Sequence, residues 1–227
     1  MESAPVKALE LLLSLDREIM QIVSVSVQLA VSSTLLASMI SIPLGILLGF
    51  SHSRGARWVQ VVFRSLMAVP TVVIGLFGYS LLSRSGLFGS WGMLFSPGAI
   101  IFGQTLLIIP IITSMTTGVI QAVDPTLRET LQTYRITGIR RNLIILREVR
   151  VQILLAVISG FGRVIGEVGV SMMLGGNIRW YTRTITTSIA LETSKGNFEQ
   201  GLALGIVLLI IALGINIILH AGVKRER

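Results

Sequence analysis

The chain has 227 residues, of which 52% are hydrophobic and only 13% charged, with a mean hydropathy of +0.80 and a formal charge of +8. A soluble domain ordinarily carries about 25% charged residues, so the composition indicates one membrane domain over residues 1–227 and no sizeable soluble domain. The lack of cysteine excludes disulfides and thiolate metal sites. His52 and His220 lie far apart in the sequence, which disfavours a histidine metal site, so no metal or cofactor is expected on this chain.

The first 19 residues precede the first apolar stretch. They begin with acidic residues and show no small-residue cleavage site, so they do not have the pattern of a signal peptide. Leucines among charges fit a short amphipathic helix on the bilayer surface, and a frayed leader into the first span is an equally good interpretation. These leucines are Leu9, Leu12, Leu13 and Leu15.

Five apolar stretches are long enough to cross a bilayer, which takes about 20 residues. They predict transmembrane helices over residues 20–50, 59–82, 97–123, 151–174 and 201–223. Three of these stretches contain a proline, at Pro43, Pro70 and Pro110. Because neighbouring groups or water can satisfy the freed carbonyl in a membrane helix, each proline is expected to be a simple kink.

The distribution of basic residues predicts the orientation of these spans. With the N-terminus outside and the C-terminus in the cytoplasm, the inner loops carry twelve basic and four acidic residues, and the outer segments carry six of each. The entire formal charge of +8 therefore lies on one face. The basic composition reports topology and requires no nucleic-acid partner.

The connection between the third and fourth spans, residues 124–150, is the most informative soluble segment. Asp124 is suited to cap a helix and Pro125 to occupy its first position, so a helix is predicted to about Ile136. Gly138 can then adopt the backbone conformation of a turn. A second helical piece follows, which makes a helix–glycine–helix elbow on the cytoplasmic side.

The elbow has apolar residues at helical spacing, Leu127, Leu131 and Tyr134, while Arg140 and Arg141 make its second half polar. Such an elbow can dock into a groove of a soluble partner with its apolar side inward. An ordinary connection between helices is the alternative interpretation. Most such connections are much shorter, so docking is favoured.

The elbow is similar to the coupling loop of ATP-binding cassette (ABC) importer permeases. In that family a Glu-Ala-Ala triplet is followed by three residues and a glycine, and later by a Leu-Pro pair. Here the letters QTY stand in place of the triplet, RIT is the spacer, Gly138 is the glycine, and Arg150-Val151 replaces the Leu-Pro pair.

Three further stretches, residues 69–89, 103–125 and 160–209, resemble the molybdate- and tungstate-type permeases of these importers. The resemblance implies an all-α, polytopic membrane protein with the type I ABC importer permease fold, in the cytoplasmic membrane of a prokaryote. It also implies transport of tungstate or a similar oxyanion by a homodimer, with cytoplasmic ATPase subunits and an extracytoplasmic oxyanion-binding protein. Molybdate and sulfate remain alternative substrates.

The resemblance implies a transporter subunit and not an enzyme, and the residues themselves agree with it on one point. No Gly-x-x-x-x-Gly-Lys-Ser/Thr motif occurs, so any ATP hydrolysis takes place on another chain. A stand-alone channel or secondary transporter would be favoured by inverted repeats, and none is convincing among five spans. An intramembrane enzyme would need a catalytic set in the spans, which the sequence lacks.

Arg163 and Glu167 lie four residues apart in the fourth apolar stretch, hence on one helix face. A charge at the bilayer centre costs about 2.5–3.5 kcal/mol on insertion scales, so the two are predicted to pair. Gly162 and Gly166 form a small-xxx-small pattern that predicts a tight helix contact on this face. The pair either stabilises the structure or belongs to a gate, because Glu167 lining an anion path would repel the substrate.

The outer segment after the fourth span combines hydroxyls and cations, namely Asn177, Arg179, Thr182 and Arg183. Such groups suit a tetrahedral oxyanion. The segment is interpreted as an outer vestibule that contacts the binding protein, or equally as a capping loop; direct binding of the anion is less favoured. In the last span, an interhelical hydrogen bond is favoured over a ligand pair for Asn216 and His220.

Overall fold

The computed structural model describes residues 17–51 and 53–224, apart from the side chains at positions 128, 216 and 218–224. In this part of the chain the backbone forms ten α-helices, one 3-10 turn and no strand. The interfacial helix predicted within the first 19 residues, and the side chains of Asn216 and His220, lie outside the described residues.

Three long helices confirm the first, third and fifth predicted spans. They are α1 (Arg17–Phe50), α4 (Pro97–Gln121) and α10 (Phe198–Lys224), and each is long and apolar enough to cross a membrane. Pro43 and Pro110 lie inside α1 and α4 without ending either helix. The start of α4 follows from its sequence, because the Ser96 hydroxyl accepts a hydrogen bond from the Ala99 amide at 3.4 Å.

The second predicted span is two helices, α2 (Arg54–Leu66) and α3 (Thr71–Leu82), bent by 103° at a short break. The prediction of one continuous helix with a simple kink at Pro70 is therefore wrong. Pro70 has the extended backbone angles φ −58° and ψ 136° and immediately precedes α3. A proline also disfavours helical geometry at the residue before it, so the chain leaves α2 and starts a new helix.

The fourth predicted span is also bent, by 61°, between α7 (Arg150–Ile165) and α8 (Gly169–Gly175). The predicted number of five spans holds when each bent pair is counted as one span. The remaining helices are short: α5 (Pro125–Thr133), α6 (Gly138–Glu148) and α9 (Ile185–Ser194). A 3-10 turn over Gly89–Trp91 lies between α3 and α4.

Helices α1 and α4 form the most extensive contact in the fold and run parallel. Their pairing advances in the same direction along both helices, from Thr105, whose hydroxyl bonds the Ser33 carbonyl at 3.4 Å, to Thr117, whose hydroxyl bonds the Gly45 carbonyl at 3.2 Å. Small side chains on one stripe of α1 allow this close approach. They are Ala30, Ser33, Ala37, Ser41, Gly45 and Gly49.

The main apolar core lies between α1, α4 and α7. Its fully buried members include Ala37, Ile108 and Val164. A polar network crosses it: the buried amide of Gln104 accepts a hydrogen bond from Ser33 at 2.7 Å and donates one to Ser171 at 3.3 Å. This network ties the short helix α8 to both long helices.

Candidate functional site

The break between α7 and α8 holds the predicted charge pair. A guanidinium nitrogen of Arg163, Nη1, donates to Glu167 Oε2 at 2.9 Å, which confirms the pairing. Glu167 lies beyond the end of α7, so the two are not on one continuous helix as predicted. The exposure of the two partners differs strongly: the side chain of Glu167 is 2% exposed and that of Arg163 is 41% exposed.

Glu167 is held by three separate contacts. Besides Arg163, its Oε1 accepts a hydrogen bond from the Val170 amide at 3.1 Å, which satisfies a free N–H at the start of α8. Its backbone carbonyl accepts a hydrogen bond from the Thr186 hydroxyl of α9 at 2.8 Å. The residue therefore joins α7, α8 and α9 at one point.

The tight helix contact predicted on this face does not form at Gly166, because a Cβ there would meet no atom of the described chain within 4 Å. A close approach does occur at Gly169, where a Cβ would lie 3.2 Å from Val72 Cγ2. The small-xxx-small contact occurs instead at Gly45 and Gly49 of α1. A Cβ there would lie 2.7 Å from Thr116 Cβ and 2.8 Å from Ile120 Cβ, respectively. A glycine pair in sequence shows that a close approach is sterically allowed, but not which helix faces it.

The two helix breaks adjoin each other. A Cβ at Gly169, the first residue of α8, would lie 3.0 Å from Thr71 Oγ1, the first residue of α3. Further along, a Cβ at Gly75 would lie 3.1 Å from the Cβ of Met173. Helices α3 and α8 therefore start at the same place and run side by side in the same direction, with the Arg163–Glu167 pair at their common origin.

The elbow over residues 124–150 is confirmed as helix–glycine–helix. The carboxylate of Asp124 accepts a hydrogen bond from the Thr126 amide at 2.8 Å and caps α5, whose first residue is Pro125. The helix ends at Thr133, slightly before the predicted end. Gly138 has φ +61°, a left-handed conformation that suits glycine, and starts α6.

The elbow packs back onto the bundle with one side and exposes the other. Leu131 is 4% exposed and belongs to an apolar cluster with Ile145 and the end of α4, against which Leu127 also packs. Leu131 therefore cannot face a soluble partner as predicted. Tyr134 and Ile139 are 74% and 79% exposed.

The two elbow arginines lie at the start of α6, beside this exposed side. Arg140 is exposed, and Arg141 is half-buried next to Asn142, whose side-chain oxygen lies 3.4 Å from Arg141 Nε. The outer surface of the elbow is consequently formed by aromatic, aliphatic and basic side chains together. Leu143, at 52% exposure, extends it along α6.

The outer segment binds the beginning of α1. Arg179 makes a two-pronged contact with the Glu18 carboxylate, at 2.9 Å and 2.6 Å, and Arg183 contacts the same carboxylate at 3.3 Å. The Thr182 hydroxyl is buried and bonds the Gly175 carbonyl at 2.5 Å, while Asn177 lies 3.5 Å from the Thr187 carbonyl. These predicted vestibule residues are all engaged in contacts within the chain.

A groove of about 510 Å³ opens beside these arginines, between α1, α9 and α10. Its lining includes acidic and basic side chains, among them Glu18, Glu192 and Lys195. Glu192 accepts a hydrogen bond from Lys195 at 2.8 Å, and mainly for this reason its pKa is lowered from the ordinary 4.5.

Sequence reasoning missed two residues that organise these sites. Glu18 joins the outer segment to α1, and the only signal for it in the sequence is an acidic residue at the edge of the first predicted span. Ile139 is the most exposed apolar residue of the elbow, and the sequence pattern did not single it out between Gly138 and Arg140.

The broken spans, the paired half-helices and the elbow are typical of a polytopic membrane component of a transport system. Residues 41–225 match the family described as binding-protein-dependent transport system inner membrane component, and the chain belongs to this family. Its fold is similar to a chain in the crystal structure of a bacterial ABC transporter involved in the import of the acidic polysaccharide alginate. The TM-score is 0.72 with 19% identity, covering 91% of this chain and 79% of that one.

The chain is also similar to three transport permeases over most of its length. The chain is 37% identical to the tungstate uptake system permease protein TupB of Peptoclostridium acidaminophilum, over 94% of each chain. It is 36% identical to the protein of the same name from Campylobacter jejuni, over 86% of this chain and 85% of the relative. The molybdenum transport system permease protein ModB of Mycobacterium bovis is 24% identical, over 88% and 77% respectively.

Proposed function

We propose that this chain is the permease subunit of an ABC importer that moves tungstate, or a similar oxyanion, across the cytoplasmic membrane. The similarity to tungstate uptake permeases over 94% of both chains carries this proposal. Molybdate and sulfate are the alternative substrates, and the lower identity to the molybdenum permease favours tungstate over molybdate. ATP hydrolysis takes place on a separate cytoplasmic subunit.

The elbow is proposed to be the contact with that ATPase. The exposed side formed by Tyr134, Ile139, Leu143, Arg140 and Arg141 supports this assignment, because a mixed aromatic, aliphatic and basic surface suits docking into a groove. Leu127 and Leu131 have a different part in it: they fix the elbow to the end of α4. Movement of the ATPase would then move α5 and α6 together with the bundle.

The chain is proposed to act as a homodimer with its N-terminus outside and its C-terminus in the cytoplasm. The concentration of positive charge in the loops on the elbow side supports this orientation. The outer segment around Arg179 and Arg183 then faces the binding protein. Because Glu18 already holds both arginines, the segment is offered as a shaped docking surface and not as a free anion site.

The test is reconstitution in proteoliposomes with the ATPase and the oxyanion-binding protein of the same organism. We expect ATP-dependent uptake of tungstate that requires the loaded binding protein, with weaker uptake of molybdate and sulfate. Stronger uptake of molybdate or sulfate would reassign the substrate. Uptake that needs neither ATP nor the binding protein would contradict the proposal and favour a channel or a secondary transporter.

A further inference from the structure

In the charge pair at the helix breaks, the carboxylate is buried and the guanidinium group is partly exposed. The Glu167 side chain is 2% exposed, whereas the Arg163 side chain is 41% exposed. A carboxylate buried in this way does not meet a solute, while the guanidinium remains within reach. The pair therefore presents a cation, and no anion, at the surface beside the break.

The guanidinium of Arg163 has donors to spare. It carries five N–H donors in a rigid fork, and the bond from Nη1 to Glu167 takes up one side of it. The carboxylate is fixed in turn by the Val170 amide, and the carbonyl of the same residue by Thr186. Arg163 is therefore held from one side and left open on the other.

The surroundings of the open side suit an anion. Glu167 is the only acidic residue in the sequence of the two broken spans, residues 54–82 and 150–175. Close to Arg163 in the chain, Gly166 has open space where a Cβ would be, and the apolar side chain of Val168 is 38% exposed. A solute near this break meets a cation and apolar surface, and the one carboxylate is out of its reach.

We propose that Arg163 is the cationic contact for the tetrahedral oxyanion during its passage, and that Glu167 is a positioning residue that aims the guanidinium while staying out of the path. The inference rests on the proposed function and assigns it a specificity-determining residue at the level of the helix breaks. A guanidinium suits this role because its planar fork matches the spacing of two oxyanion oxygens. The contact is transient, since a single arginine holds the anion without enclosing it.

The test compares three variants in the reconstituted complex: Arg163→Gln, Glu167→Gln and the double variant. Each is measured for tungstate taken up per ATP hydrolysed and for thermal unfolding. Arg84→Gln is the matched control, since it removes an exposed outer-loop arginine away from the breaks. Wild-type uptake in the same vesicles is the reference.

We expect Arg163→Gln to lower uptake about tenfold or more, the factor that follows from losing one hydrogen bond to a charged group. Glu167→Gln keeps an oxygen for the Val170 amide but loses the charged partner that aims the guanidinium, so uptake should fall, by a smaller factor than in Arg163→Gln. The double variant is decisive: removing both charges restores the unfolding temperature that Arg163→Gln loses, because no unpaired carboxylate is left buried, but uptake stays low. If the double variant recovered both stability and uptake, the pair would be purely structural and the inference would be overturned.

A second measurement covers the case in which Arg163→Gln fails to assemble. The chain contains no cysteine, so Arg163→Cys in the Glu167→Gln background offers a single thiol, with accessible cysteines of the partner subunits replaced. Attachment of an aminoethyl group should raise uptake and a sulfonatoethyl group of similar size should not, although no ion pair can form. Equal uptake with both groups would contradict the inference. Absence of wild-type uptake of any oxyanion would instead overturn the proposed function, and the inference with it.

Discussion

The two sides of the elbow should respond differently to the same kind of substitution. Leu131 is 4% exposed within the cluster that joins α5 and α6 to α4, and Ile139 is 79% exposed. Truncating a buried leucine to alanine typically costs about 2–5 kcal/mol, because transfer free energy is lost and a cavity is left. An exposed residue away from special features usually changes the free energy of unfolding by no more than about 0.5 kcal/mol.

The effect on ATPase binding is expected in the opposite order. If Ile139 inserts into a groove of the ATPase, Ile139→Ala removes a buried apolar contact that counts as a hot spot at about 2 kcal/mol. At 1.4 kcal/mol per factor of ten, this weakens binding by a factor of about 30. Tyr134→Ala should act in the same direction, because Tyr134 is exposed on the same elbow.

The assay is titration of the detergent-solubilised permease with its ATPase, combined with thermal unfolding of the permease alone. Ile139→Ala should unfold like the wild type and bind the ATPase more weakly. Leu131→Ala should unfold at a lower temperature. If Ile139→Ala and Tyr134→Ala both bound the ATPase with wild-type affinity, the exposed side of the elbow would not be the docking surface, and the reasoning from its exposure would be refuted.

Two further predictions concern packing and pH. Gly45→Val should destabilise the bundle by about 1–3 kcal/mol, the usual range for overpacking, because a Cβ at Gly45 would lie 2.7 Å from Thr116 Cβ. The matched control is Gly118→Ala on α4, where a Cβ would meet no atom within 4 Å. In thermal unfolding the control should be neutral or stabilising. The bond from Lys195 lowers the pKa of Glu192 below 4.5, so its stabilisation is present above pH 4.5 and is lost as the pH falls through the lower pKa of the folded state. Glu192→Gln should remove this part of the acid dependence, which is small because exposed pairs contribute about 0–1 kcal/mol; an unchanged acid profile would contradict the assignment.

The sequence was sufficient for the spans and the elbow because both follow from local rules. Hydropathy over about 20 residues is enough to predict α1, α4 and α10, and Asp124, Pro125 and Gly138 each have a strong preference for the position they occupy. The same local rules failed at Pro70. Whether a membrane proline kinks or ends a helix depends on which neighbouring helices pack against the segment that follows it. Here α8 packs against α3, the helix that follows Pro70.

The site residues show a similar division. The spacing of Arg163 and Glu167 predicted their pairing, but not that one would be buried and the other half-exposed, because burial depends on the helix ending between them. The partner of Arg179 could not be predicted either. Glu18 lies 161 positions away in the sequence, and no periodicity connects a residue at the start of the first helix with a loop before the ninth.

Rigid and broken elements have distinct positions in this fold, and the charge pair lies where they meet. Helices α1 and α4 touch through glycine and other small residues, and interlock too closely to slide easily past each other.

Helix α7 follows α6 with only Val149 between them and runs for 16 residues, about 24 Å. A displacement of the elbow can thus reach the far end of α7 without passing through a flexible loop. That end is the break beside Glu167, where the chain bends and where three helices are joined by hydrogen bonds that can be broken individually. If Arg163 is the contact for the anion, then the group that meets the solute lies directly beside the break at which the chain bends, because Glu167 holds the arginine across that break.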